Sequence, residues 1–74
     1  MSSQKTLQAV ATGETAFVVA VDGGVKAKTR LDFLGIIPGV EVEVFNNGNG
    51  PLLVSVGEGR VMVERGIAQK VLVA

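Results

Sequence analysis

The sequence predicts a mainly β chain, a small barrel of five short strands with one α-helix, and three observations carry that prediction. Fourteen of the 74 residues are Val, a side chain that loses χ1 freedom in a helix and packs well on a pleated sheet. Valines alternate with glutamates from Val40 to Val44, the period of a strand with one buried face. One stretch follows a different period: Ala27, Leu31 and Leu34 stand at i, i+4 and i+7, a single face of a helix.

Each element follows in order. Leu7 to Gly13 reads as a polar-leaning segment ending in a turn at Thr12-Gly13-Glu14. Phe17 to Val21 is a continuous apolar strand, which predicts cover on both of its faces. Asp22-Gly23-Gly24 breaks it, and the helix spans Val25 to Leu34 with Gly35 placed to cap its C-terminus. Lys28 and Asp32 lie four apart on its outer face, in the less favourable order for a helical ion pair.

Pro38 holds Ile37 extended and Gly39 permits a tight turn into the strand Val40 to Val44. Two Asn-Gly pairs, Asn47-Gly48 and Asn49-Gly50, predict turn residues at positive φ before the strand Leu52 to Val56. Gly57-Glu58-Gly59 turns into Arg60 to Val63. Glu64 to Gln69 forms one helical turn loosened by Gly66, and Lys70 to Ala74 is a last strand with Val71 and Val73 on one side. So many short strands favour a small curled or closed sheet, because closure removes exposed edges.

Composition narrows function mainly by exclusion. Against the usual ~150 residues per domain, the chain reads as one domain over residues 1–74, and a unit of this size buries only about 60% of its unfolded surface. There is no His and no Cys, hence no imidazole proton carrier, no thiolate and none of the nitrogen or sulfur ligands that hold zinc, clusters or haem. Without disulfides, a reducing cytoplasmic setting is expected. Seven basic residues balance seven acidic ones, whereas nucleic-acid binders carry a basic excess. Trp and Tyr are absent and three Phe remain for stacking, so no nucleic-acid partner is expected. The longest apolar run, Ala16 to Val21, is far short of the ~20 residues of a membrane span, and the residues after Met1 lead into no apolar signal core.

Candidate chemistry is weak. Gly48 and Gly50 begin a G-x-G, but position 53 is Leu and the dinucleotide fingerprint fails. Gly23-Gly24 ahead of the helix, with Lys26, could offer amides to an anion, yet the Walker pattern is missing and a simple turn is the better reading. Glu41 and Glu43 project from one side of a strand and could touch a divalent cation through oxygen; a solvated face explains them as well. Ser2, Ser3 and Ser55 have no His to activate them. No catalytic residue, cofactor or dedicated metal site is expected, the chain is not read as an enzyme, and its scattered carboxylates should hold Fe²⁺ only weakly.

The run Arg30-Leu31-Asp32-Phe33-Leu34-Gly35-Ile36-Ile37-Pro38-Gly39-Val40-Glu41-Val42 resembles the helix-to-strand signature of the FeoA family. The segment from Val61 to Val73 is similar to that family's last part, and Leu7 to Gly13 to its first. The resemblance implies a small SH3-like barrel that assists the GTP-driven membrane ferrous iron transporter FeoB from the cytosolic side. It also implies kinship with the C-terminal module of DtxR-type iron-dependent repressors, so a stand-alone regulatory module is the alternative. Gly66 departs from the family's helical connector.

The helix offers the best interaction surface. Beside its core stripe, Lys26, Arg30 and Phe33 share one flank, and Ile36 with Ile37 adjoins it. Arg and Phe are enriched as buried anchors at interfaces, so Lys26, Arg30, Phe33 and Ile36 form the expected partner-binding set. The plain reading beside it is that Phe33 fills the rim of the core, that the cations are solvated and that at least one isoleucine packs the helix exit onto the barrel. The oligomeric state is left open by the sequence.

Overall fold

A computed structural model describes residues 5–74; Ser2 and Ser3 lie outside the described residues. The elements are strand β1 (Lys5–Thr6), a 3-10 turn (Leu7–Ala9), β2 (Thr15–Val21), helix α1 (Val25–Leu34), β3 (Glu41–Asn46), β4 (Leu52–Val56), β5 (Gly59–Val63), a four-residue helix α2 (Arg65–Ala68) and β6 (Val71–Val73). The strands form one antiparallel sheet in the order β1-β6-β2-β3-β4-β5.

The sheet curls because β2 belongs to two halves at once. Its first residues, Thr15 to Phe17, pair with β3, and Val18 to Val21 pair with β6. A register shift between Val18 and Ala20, and another on β3 between Val44 and Asn46, bend the strands where bulges increase the local twist. The inward side chains of every long strand then meet in one core: Ala16, Val18, Val42, Val44, Leu52, Val54, Val63, Val71 and Val73, with Leu31 of α1 and Ala68 of α2.

The helix lies where the period placed it, with Ala27 and Leu31 buried and Leu34 packed against the core. Gly35 ends it in the left-handed region at φ 84°, a conformation that costs a Cβ-bearing residue. The cap closes through Gly35 N–H to Asp32 O and Ile36 N–H to Leu31 O, at 3.0 and 2.9 Å. Gly39, at φ 95°, then takes the third position of a turn in which Val40 N–H donates to Ile37 O at 3.2 Å. Pro38 before a glycine at positive φ fits a type II turn. It brings the chain beside β2, where Val18 N–H donates to Val40 O and Gly39 N–H to Val18 O.

Four expectations need correction. The sheet has six strands because Thr6 and Lys5 pair with Leu72 and Val73, a two-residue ladder too short to leave a pattern in sequence. The segment after β1 is not merely polar: Leu7 and Val10 are fully buried, delivered inward by the 3-10 turn. β2 is covered on one face only, since Phe17 and Val19 are 53% and 40% exposed; a sheet this small has a single layer inside it and nothing to lay over its outside. Finally, no residue from Asn46 to Gly50 has positive φ, and side-chain hydrogen bonds shape that loop instead.

Candidate docking surface on helix α1

The flank of α1 divides the predicted set. Lys26, Arg30 and Phe33 are exposed, Phe33 at 83%. Ile36 is the exception, because it is fully buried and belongs to the core. Directly after the Gly35 cap the chain turns inward, so Ile36 packs the helix exit while Ile37, 42% exposed, stays outside. Ile36 therefore cannot touch a partner in the folded state.

The two cations of the flank differ. Arg30 Nη2 lies 3.8 Å from Glu64 Oε2, with both side chains about half exposed. That contact ties α1 to the junction between β5 and α2, and its length and exposure make it a weak restraint. Among the described residues Lys26 joins no ion pair. Val25, at the start of the helix, is 80% exposed, so two apolar side chains, one near each end of α1, are left in water. Sequence pattern identified Phe33 but passed over Val25, whose position off the core stripe was the available signal.

On the opposite side of the helix, Lys28 and Asp32 line a pocket of about 310 Å³ with Ala20, Val21 and Pro38. They form no ion pair with each other among the described residues. The outer sheet face holds a second pocket of about 210 Å³, lined by Thr15, Glu41, Val42, Glu43, Ser55 and Gly57. Thr15, Glu43 and Ser55 face each other in register across three strands. Two glutamates and two hydroxyls make a poor cation site, and no group of three potential metal-ligating residues occurs among the described residues. No helix among them is long and apolar enough to cross a membrane.

The arrangement the sequence did not announce is a clamp around Asn47. Its Nδ2 donates to Gln8 O at 2.8 Å and Val10 O at 2.7 Å, and its backbone N–H donates to Thr12 Oγ1 at 3.0 Å. Arg65 Nη2 donates to Asn47 Oδ1 and to Gly48 O. The amide thus uses both of its donors and its acceptor, and one side chain holds the β3–β4 loop, the 3-10 segment and α2 together.

A curled antiparallel sheet plugged by one helix, with a single helical turn before its last strand, is the small SH3-like class of β domain. The chain matches the FeoA domain family over residues 5–74 and belongs to that family. It is 36% identical over 61 residues to the Fe(2+) transport protein A of Methanocaldococcus jannaschii, covering 82% of this chain and 74% of that one. A crystal structure of an iron uptake regulatory protein, FeoA, superposes with a TM-score of 0.90 at 30% identity, covering 99% of this chain and 97% of the other. FeoA of Stenotrophomonas maltophilia, an SH3 domain protein solved with zinc, gives 0.80 at 32% identity over 93% and 88% of the two chains. A manganese-dependent transcriptional repressor shares the fold, with a TM-score of 0.88 at 19% identity over all of this chain and 42% of that protein.

Proposed function

We propose that this chain is a cytoplasmic accessory protein of ferrous iron transport, a single domain that acts by contact with the GTP-driven membrane transporter FeoB rather than by catalysis. The family match from residue 5 to residue 74 carries the reading. The exposed flank of α1 supplies the contact: Phe33 as the apolar anchor, Lys26 as a cation with no ion pair among the described residues, and Arg30 as a cation shared with Glu64. Burying an aromatic against a partner yields far more than leaving it in water, and nearby cations favour an acidic partner surface through steered encounter. Pull-down from membranes containing the transporter tests this. Phe33→Ala should reduce capture with little dependence on salt, whereas Lys26→Glu/Arg30→Glu should reduce it most at low salt. A folded double mutant that binds and supports iron uptake like the parent overturns the flank.

The fold match to the repressor favours a second reading, a stand-alone regulatory module. Zero net charge and the absence of Trp and Tyr weigh against direct contact with nucleic acid. The two readings separate on one observation, since a regulatory module would be captured by a soluble protein and not by transporter membranes. In either role the isolated chain should bind Fe²⁺ weakly, for want of nitrogen and sulfur ligands. Calorimetry showing tight stoichiometric binding to the monomer would contradict this.

A further inference from the structure

The β3–β4 loop contains two copies of one dipeptide in different environments, and neither belongs to the docking surface. We propose that Asn49-Gly50 is a site of spontaneous deamidation, and that the clamp withholds the same chemistry from Asn47-Gly48. In this reaction the backbone nitrogen of the following residue loses its proton and attacks Cγ of the asparagine. A new N–Cγ bond forms, the bond from Cγ to Nδ2 breaks, and ammonia leaves after taking a proton from solvent. The product is a succinimide ring. Water opens it at either carbonyl, leaving aspartate or isoaspartate, so the balance is one water consumed and one ammonia released.

Glycine on the C-terminal side favours the attack, because no Cβ obstructs the approach and the backbone reaches the required angles readily. Asn49 and Gly50 are both exposed. No hydrogen bond engages the Asn49 side chain or the Gly50 N–H among the described residues, and a Cβ placed on Gly50 would meet nothing within 4 Å. The carboxamide of Asn49 is therefore free to turn toward the nitrogen.

Asn47 is held in the opposite state. Turning its carboxamide toward Gly48 N would break the bonds to Gln8 O and Val10 O and the bond from Arg65 together. Arg65 also holds Gly48 O and Thr12 Oγ1 holds the backbone N–H of Asn47, so the main chain is anchored on both sides of the Asn47–Gly48 peptide. Asn47 therefore reacts only from conformations in which the clamp has opened, and its rate falls by the fraction of time spent open. The consequences differ as well. Conversion of Asn49 adds a negative charge to an exposed loop and leaves the fold intact. Conversion of Asn47 sets a carboxylate against the carbonyl oxygens of Gln8 and Val10, where an acceptor has replaced their donor, so the clamp cannot reform. Modified Asn47 accumulates as a record of clamp opening.

The test is a time course of the folded protein in mildly alkaline buffer, with peptide mapping by mass spectrometry and isoaspartyl methyltransferase labelling to locate each product. Asn49 should convert first, with Asn47 slower by roughly tenfold or more because it waits on local opening. Arg65→Ala should raise the Asn47 rate and leave that of Asn49 unchanged. In denaturing urea, a comparison that needs no variant, the two sites should convert at similar rates. Equal rates in the folded parent would overturn the proposal. A lag at Asn47 that persists in urea would also overturn it, because local sequence and not the clamp would then be responsible.

Discussion

The flank of α1 and the loop around Asn47 are both surface features beside the same core, and they are opposites in how their side chains are satisfied. At Asn47 every polar group of the amide has a partner within the chain. On α1 the apolar groups of Val25 and Phe33 have almost none, at 80% and 83% exposure. A polar side chain whose donors and acceptor are all used fixes geometry, because moving it leaves carbonyls unpaired. An apolar side chain in water fixes nothing within the chain and favours whatever covers it. The contrast separates residues that hold the fold from residues free to serve a partner.

The largest effect should come from beneath the helix rather than from either surface. Leu31 is fully buried and belongs to the core cluster, so Leu31→Ala should destabilise the protein by about 2–5 kcal/mol through the cavity it opens. Urea melts measure this directly. A loss below ~1 kcal/mol would mean that the core collapses around the gap, and the flank would then have no rigid base.

Asn47→Ala comes next and tests the clamp itself. It leaves Gln8 O and Val10 O without their donor in a half-buried site, a deficit of about 1–3 kcal/mol. Asn49→Ala, two residues along, should stay within ~0.5 kcal/mol, as an exposed position does. Equal losses at the two positions would erase the distinction between them.

How much of this was legible in advance follows from where each signal lies. The helix bounds, the buried Ala27 and Leu31, and the alternating Val42 and Val44 all came from periodicity, which records which side of an element faces the core. Ile36 stands outside any period, so no sequence pattern reports its burial. Its burial depends on how the Gly35 cap directs the chain. Phe17 and Val19 misled for a related reason: an unbroken apolar run suggests two covered faces, and only the count of layers reveals that one is wet. Asn47 carried a turn signal, yet its partners Gln8, Val10 and Arg65 are separated from it by 39, 37 and 18 residues. No local pattern encodes such contacts.

Phe33→Ala should barely move stability, within ~0.5 kcal/mol, because a side chain 83% exposed gives up little burial when truncated. Partner capture should fall all the same. That combination distinguishes an anchor from a rim residue of the core. If the melt shifts by ~2 kcal/mol or more, a loss typical of a buried aromatic, then Phe33 shields the core in solution and the flank loses its apolar half.

The smallest expected effect lies where the two regions approach each other. Arg30 belongs to the flank and Glu64 directly precedes α2, the helix that carries the clamp's Arg65. At 3.8 Å and half exposed on both sides, the pair should contribute about 0–1 kcal/mol, measured as the coupling in a cycle of Arg30→Ala, Glu64→Ala and the double variant. The same cycle can be read in partner capture. If Arg30 must leave Glu64 to meet an acidic surface, Glu64→Ala should strengthen capture slightly at low salt while Arg30→Ala weakens it, and both effects should shrink as salt screens the charges. A Glu64→Ala variant that captures less than the parent would show instead that Glu64 holds Arg30 in the orientation the partner needs, making the pair part of the docking surface.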